Sequence, residues 1–310
     1  MAVDSQWANT VLLLPMEGAN NSTTILDAKG HTVTLNGGVK LSTAHAPTGC
    51  TTSAVFDGNN DYLSISHSDF AFGTGDFAIE VPVYKAGDGA TGSAADEYVI
   101  DFRTAEPSLQ VSLIIAGASS ATPNKVYLYV NGSSAIIGTT QMSTSFKMVT
   151  LARISGVTRL FIDGVQEGSS YTDTNNYSST AANIGGRFAA NSGDWRSLNG
   201  YLGPMRITKN GRGYSTTFTP PTLPFLRPTI TGTVYDSGGS HTAKVVTATK
   251  RSTLALAANT VSDGSSGVYT LYPTDYSEYI VTEFDTATYP LVDGGSGENA
   301  IIYDRVIPGG

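Results

Sequence analysis

The chain has 310 residues, a formal net charge of −8 and only 14% charged residues, against roughly 25% in an average globular protein. Lysines and arginines are scattered singly, with Lys250-Arg251 the one adjacent pair, so the basic stripe of a nucleic-acid or anionic-membrane surface is missing. Cys50 is the only cysteine, which excludes a disulfide within the chain.

The opening segment, MAVDSQWANTVLLLP, has no basic n-region, and its apolar run Val11 to Leu14 is too short for a signal peptide or a membrane span. The expectation is synthesis and folding in a cytosol. Thirty-four glycines, crowded Ser and Thr and no long 3.6-residue apolar stripe then predict many short strands joined by glycine-rich turns. VTLNGGVKL (33–41) carries Asn36-Gly37 between apolar alternations and predicts a hairpin. VYLYVNGSSAII (126–137), with Asn131-Gly132, and RLFIDGVQEG (159–168), with Asp163-Gly164, predict two more. A two-residue type I′ turn needs positive φ at both central positions, and Asn-Gly and Asp-Gly meet that need at least cost.

Between the first two hairpins, FDGNNDYLSI (56–65) alternates Tyr62 and Ser64 with Leu63 and Ile65, giving one packed face and one wet face. FGTGDFAIE (72–80) supplies Phe72, Phe77 and Ile79 as anchors and leads into Glu80, expected as a buried, hydrogen-bonded carboxylate. Pro82 follows in EVPVYK, and a proline in a strand predicts an edge position or a bulge. Lys85 to Asp96 and Tyr171 to Thr180 are polar loops of a length that serves as tolerated or recognition surface. Leu198 to Phe225 reads as a closing strand and an exit arm, ended by Pro220, Pro221 and Pro224, which have no N–H to donate. Beyond it, 230–235, 243–249, 268–272, 279–284 and 300–307 read as short strands of a small sandwich, more acidic than the rest, with five tyrosines between Tyr269 and Tyr289. The predicted domains are 1–226 and 227–310.

Chemistry is sparse. DEYVID (96–101) holds three carboxylates, but Asp96 and Asp101 fall on opposite faces of a regular strand, so Asp96 and Glu97 read as a loop end and Asp101 as turn or edge. His31, His45, His67 and His241 are dispersed, without His-x-x-x-His spacing, and argue against a zinc or Ser-His-Asp site. Cys50 reads as a small buried or turn residue.

The segments FDGNNDYLSI, FGTGDFAIE, RLFIDGVQEG and LNGYLGPMRITK, closing with FTPPTLPF, resemble the laminin-G-like members of the concanavalin A-like jelly-roll superfamily over about residues 5–226. ITGTVYDSGG, SDGSSGVYTL and AIIYDRVIPGG resemble the carboxypeptidase-regulatory-like, transthyretin-like sandwich. The resemblance implies an all-β chain: a jelly roll followed by a small Ig- or transthyretin-like sandwich. Modules of this wording occur in tailed-phage virion proteins, so it implies a virion protein of tail, fibre or head, assembled in the host cytoplasm. Its partners would be other virion proteins and host surface glycan, without nucleic acid or membrane, as a homo-oligomer with three copies the first expectation.

The same superfamily contains glycosidases, whose retaining members need two carboxylates roughly 5–5.5 Å apart. The chain lacks the Glu-x-Asp-x-x-Glu run of the glucanase branch, so the expectation is no enzyme. The alternatives are a polysaccharide depolymerase on the same jelly roll and a structural appendage with no ligand. Sugar sites combine an aromatic platform with Asn, Asp or Arg, which makes Tyr171, Tyr177, Arg187, Asn191, Asp194 and Trp195 the candidate glycan residues. No cofactor is required. Calcium is the one metal with a case, because such domains hold it at the sandwich rim with oxygen ligands, and the candidates are Asp57, Asn59 and Asp61.

Overall fold

The structure is a computed structural model that describes residues 4–89, 95–105, 108–188, 196–235, 240–241, 243–275, 277–284, 301–306 and 308, with backbone alone for 284 and 301–306. The chain is all-β, built on a jelly-roll sandwich. It divides into two compact units, Asn9–Phe225 and a smaller one that joins the N-terminal residues through Ala8 to Leu226 and beyond. The predicted boundary thus needs one change, because the N-terminal residues belong to the smaller unit. There the Trp7 indole N–H donates to the Thr274 carbonyl at 2.7 Å.

The larger unit holds two antiparallel sheets. In the first the order is Val165–Thr172, Val157–Ile162, Lys147–Ile154, Phe77–Lys85, Asn199–Leu202, Ser53–Asp57 and Lys40–Ser42. Thr10–Leu14 joins through Met205–Lys209, which also pairs with Phe77–Lys85. The second runs Ser133–Gln141, Lys125–Val130, Ser112–Ile115, Glu97–Asp101, Ala181–Ile184, Tyr62–Ser66 and Thr34–Asn36. One hydrophobic cluster draws on both: Ile79, Val81, Val83, Leu151 and Ile207 from the first sheet, Leu63, Ile65, Val99, Leu113 and Leu128 from the second. These are the alternate residues of their strands, as two facing sheets require.

Two of the three predicted hairpins form. Asn131-Gly132 has φ of 50° and 80°, and Asp163-Gly164 has 50° and 79°, each joining strands that pair with one another. Asn36-Gly37 does not make a hairpin. Thr34–Asn36 pairs with Tyr62–Ser66 in the second sheet, whereas Lys40–Ser42 pairs with Ser53–Asp57 in the first. The turn carries the chain from one sheet to the other.

Pro82 lies on a central strand, not at an edge. Its neighbour changes from Asn199–Leu202, with Leu202 opposite Val83, to Met205–Lys209, with Arg206 opposite Glu80. Three residues thus oppose two, which is a bulge. The Pro82 carbonyl accepts from the Gly203 N–H at 2.9 Å, so the side without an N–H is turned to the bulge, where no regular ladder partner is needed. Glu80 is fully buried, as expected. Its carboxylate accepts from Arg206 Nε and Nη2 at 2.7 and 2.8 Å and from the Tyr214 hydroxyl at 2.8 Å. The exit arm folds over this outer face: Tyr214 stacks on Phe218, and Phe218 meets Phe161 edge-on at 5.2 Å.

The smaller unit has a sheet ordered Ala255–Val261, Val245–Lys250, Tyr279–Phe284, Ile301–Val306 and a two-stranded sheet of Ile230–Thr233 with Val268–Leu271. Its core is Ile230, Val234, Val246, Ala248, Tyr269, Leu271, Tyr279 and Val281. Ala255–Val261 is a strand that the sequence reading missed. Its residues are mostly exposed or half-buried, so no clear apolar alternation marks it.

Candidate functional site: a cleft on the outer face of the second sheet

The second sheet turns Leu63, Ile65, Ala182 and Ile184 inward, so the residues between them line its outer face. Strand register aligns a polar row there. Thr34 pairs with Ser64, Ser64 with Asn183, Asn183 with Asp101, Asp101 with Ser112, and Ser112 with Tyr129. The Asn36 amide donates to the Ser64 hydroxyl at 3.1 Å.

Asp101 organises this row. Arg103 grips it through Nε and Nη2 at 2.8 and 2.9 Å, the Ser112 hydroxyl donates at 2.7 Å, and the Phe188 backbone N–H donates at 3.0 Å. The guanidinium lies over the Tyr98 and Tyr129 rings at 5.2 and 5.3 Å, an arrangement that its planar fork favours. Burial pushes the Tyr98 phenol above its ordinary pKa, so it stays protonated. Beside this cluster opens a cleft of about 280 Å³ walled by Tyr62, Ser64, Arg103, Thr104, Asn183 and Phe188 and floored by Ala181 and Ala182. Two aromatic residues, an amide and the hydroxyl residues Ser64 and Thr104 therefore line one concavity, with the Arg103 guanidinium, its side chain only 2% exposed, held against Asp101. Its size is at the small end for ligand sites.

Asp96 and Asp101 share this outer face. A bulge between Tyr98 and Ile100 reverses the parity that a regular strand would impose. Asp96 accepts from the Tyr127 hydroxyl at 2.6 Å, and Tyr127 packs with Tyr98, against which Arg103 and Asp101 lie. Glu97 is not a loop end. It opens a central strand and is buried, with Lys85 Nζ at 2.6 Å and the backbone N–H groups of Gly89 and Asn199 each at 3.0 Å.

Of the expected glycan residues, Arg187 lies beside the cleft: its backbone carbonyl accepts from Asn183 Nδ2 at 3.5 Å. Asn191, Asp194 and Trp195 follow it in sequence and lie outside the described residues. Tyr171 and Tyr177 belong to another place. Tyr177 is only 1% exposed, its hydroxyl donates to Asp173 at 2.9 Å, and the Arg153 guanidinium covers its ring at 4.8 Å. Arg153 itself binds the carbonyls of Gly73, Gly75 and Asn175 at 2.7, 2.9 and 2.8 Å. Tyr177 is thus a pillar of a buried knot and has no face for a sugar. The half-buried Tyr171 lies in the Val165–Thr172 strand, not in a loop, and accepts from Asn175 Nδ2 at 3.0 Å.

At the expected calcium turn, Asp61 is buried and accepts from the backbone N–H groups of Gly38 and Asp57 at 2.5 and 2.9 Å. The Asn59 N–H bonds Asp57 Oδ1 at 2.8 Å. The Asn59–Asp57 bond is the two-residue closure typical of an Asx turn, whereas Asp61 ties this turn to Gly38 of the preceding segment. Cys50 is half-buried, and burial together with Glu17 pushes its thiol up to about 11, which makes it a poor nucleophile. The histidines are less dispersed than their spacing suggests, since the rings of His31 and His67 stand 4.2 Å apart. Among the described residues no helix is long and apolar enough to cross a membrane.

No protein-family model and no curated protein matches the sequence. Solved structures do match in fold. A Trypanosoma rangeli sialidase mutant displaying trans-sialidase activity is 12% identical with a TM-score of 0.50, over 68% of this chain and 32% of that one. The botulinum neurotoxin serotype D binding domain is 12% identical with a TM-score of 0.50, over 96% of this chain and 71% of that one. Domain 4 of a GH43 extracellular arabinanase from Geobacillus stearothermophilus, in complex with arabinotriose, is 13% identical with a TM-score of 0.47, over 67% and 96%. The chain spans about a third of the sialidase's length. The two matches with a TM-score of 0.50 share the chain's β-sandwich fold. They also correct the expectation that the chain is no enzyme. A sialidase stands among the matching structures, and the missing glucanase motif excludes only one arrangement of carboxylates on this fold.

Proposed function

We propose that the chain is a glycan-binding protein whose sugar site is the Tyr62–Arg103–Asn183–Phe188 cleft, and that it serves as a host-recognising component of a tailed-phage virion. The observation that carries the glycan reading is the cleft itself. Tyr62 and Phe188 offer aromatic surface for a sugar's C–H face, and Ser64, Thr104 and Asn183 supply donors and acceptors for its hydroxyls. Asp101 holds Arg103 and the Phe188 backbone in place before any ligand arrives, which lowers the ordering cost of binding. The reading is in keeping with the fold, since a structure of the same sandwich class is a sialidase in complex with sialic acid, 11% identical with a TM-score of 0.50. The virion role rests on the resemblance of residues 5–226 and of the C-terminal segments to phage modules. Attachment through several copies would raise the avidity of weak single sites.

A glycan array probed with the full chain tests the reading. Selective capture of a glycan set, reduced about tenfold or more by Tyr62→Ala and by Asn183→Ala, is expected. An array without hits, or hits indifferent to both substitutions, contradicts it.

A further inference from the structure

His31, His67 and Asp69 form a cluster apart from the cleft. Their ligand atoms lie within 4.8 Å of one another. His31 Nε2 is 3.3 Å from Asp69 Oδ2, and His67 Nδ1 is 3.2 Å from the same oxygen. Tetrahedral zinc with ligands about 2.05 Å away sets ligand atoms about 3.3 Å apart. Both distances therefore match edges of a zinc tetrahedron.

The ring geometry points the same way. His31 Nδ1 lies 2.7 Å from Asp27 Oδ2, which leaves Nε2 as the nitrogen that faces Asp69. His67 Nδ1 is 3.3 Å from the Asp69 backbone N–H; an imidazole nitrogen has one lone pair, so coordination takes the place of that long hydrogen bond. The two rings stand 4.2 Å apart, and a single divalent cation between them engages both nitrogens and the carboxylate.

The surroundings complete the arrangement. Asp27 stands behind His31 as the outer carboxylate that commonly orients a metal-binding histidine, and it is itself held by the Leu13 N–H at 2.8 Å. The His31 side chain is 8% exposed, whereas those of His67 and Asp69 are 45% and 42% exposed, so an ion enters from solvent and keeps an open position for water. Two imidazoles and one carboxylate suit zinc better than calcium, which prefers oxygen ligands throughout.

We infer that His31, His67 and Asp69 form a binding site for a zinc-class divalent cation, with Asp27 as its outer-sphere support. Untagged full-length protein, stripped with chelator, is titrated with zinc chloride by calorimetry, and with cobalt(II) as a visible-absorption reporter. About one equivalent of zinc should bind, with tetrahedral cobalt bands. His67→Ala should weaken binding at least tenfold while leaving the circular dichroism spectrum unchanged, because that side chain is largely exposed. Asp27→Asn should weaken it about 10–100-fold, and His45→Ala should bind as the parent does. Less than half an equivalent bound, or zinc binding that His67→Ala leaves unaltered, overturns the site.

Discussion

Replacing Glu80 by Gln tests the physical account of the larger unit most severely. Glu80 and Arg206 are 0% and 3% exposed and meet through two bonds of 2.7 and 2.8 Å. The Tyr214 hydroxyl adds a third at 2.8 Å, and Arg212 Nε lies 3.5 Å away. The amide removes the negative charge and can accept at only one atom, which strands the Arg206 guanidinium beneath the exit arm. Breaking a buried ion pair from one side costs about 3–5 kcal/mol. For a unit of this size each kcal/mol lowers the melting temperature by about 2–4 °C, so calorimetry should record a drop of about 6–20 °C. Glu80→Leu combined with Arg206→Met should recover much of it, because the desolvated charges leave together. A loss below about 1 kcal/mol for Glu80→Gln, or a double variant as unstable as the sum of the two singles, would refute the buried pair as the keystone of that face.

Other outcomes follow from the same geometry. Glu167 accepts four bonds from Thr139 and Thr140; burial alone would raise its pKa, but these bonds outweigh burial and lower it. A carboxylate depressed in the folded state stabilises above its unfolded pKa and loses that contribution as pH falls through the folded value. The melting gap between the parent and Glu167→Gln should therefore be full at pH 7 and shrink on acidification below about 4.5; a gap that widens in acid would contradict the sign. Gly203→Ala places a methyl 2.7 Å from the Pro47 ring and 3.0 Å from that of Pro82, and should cost about 1–3 kcal/mol by denaturant titration; a neutral change would mean that the bulge yields. Trp7→Phe deletes the bond to Thr274 and should cost about 1–2 kcal/mol, read as reduced amide protection in Val245–Lys250 but not in Lys147–Ile154. Equal loss in both segments would contradict the assignment of the N-terminal residues to the smaller unit.

Much of the fold was legible because it is locally encoded. Alternation in FDGNNDYLSI already placed Tyr62 and Ser64 on the wet face, where they wall the cleft. Asn131-Gly132 and Asp163-Gly164 announced their hairpins because positive φ is a property of those residues themselves. Asn36-Gly37 carries the same local signal, yet whether its flanking strands pair together or part to different sheets is decided by Tyr62–Ser66 and Ser53–Asp57, which lie further along the chain. Of the edge or bulge that Pro82 predicted, the bulge forms, and it is the extra residue opposite Pro82 that lets proline occupy a central strand. The Tyr98/Ile100 irregularity carried no such mark, and it moved Asp101 to the face of Asp96. The site was less legible than the fold. Tyr177 and Tyr62 are the same residue type in similarly polar stretches, and only burial beneath Arg153 separates the pillar from the cleft wall. Asn183 carries no signal beyond its place on a short strand. It joins Ser64 and Asp101 through register, which is a long-range property.

The central claim is that glycan occupies the outer-face cleft, and a crystal structure of the protein with its best array ligand tests this most directly. The account predicts sugar density between Tyr62 and Phe188, with hydroxyls within hydrogen-bond distance of Asn183 and Ser64. Ligand seated elsewhere, with the cleft holding only solvent, would contradict it.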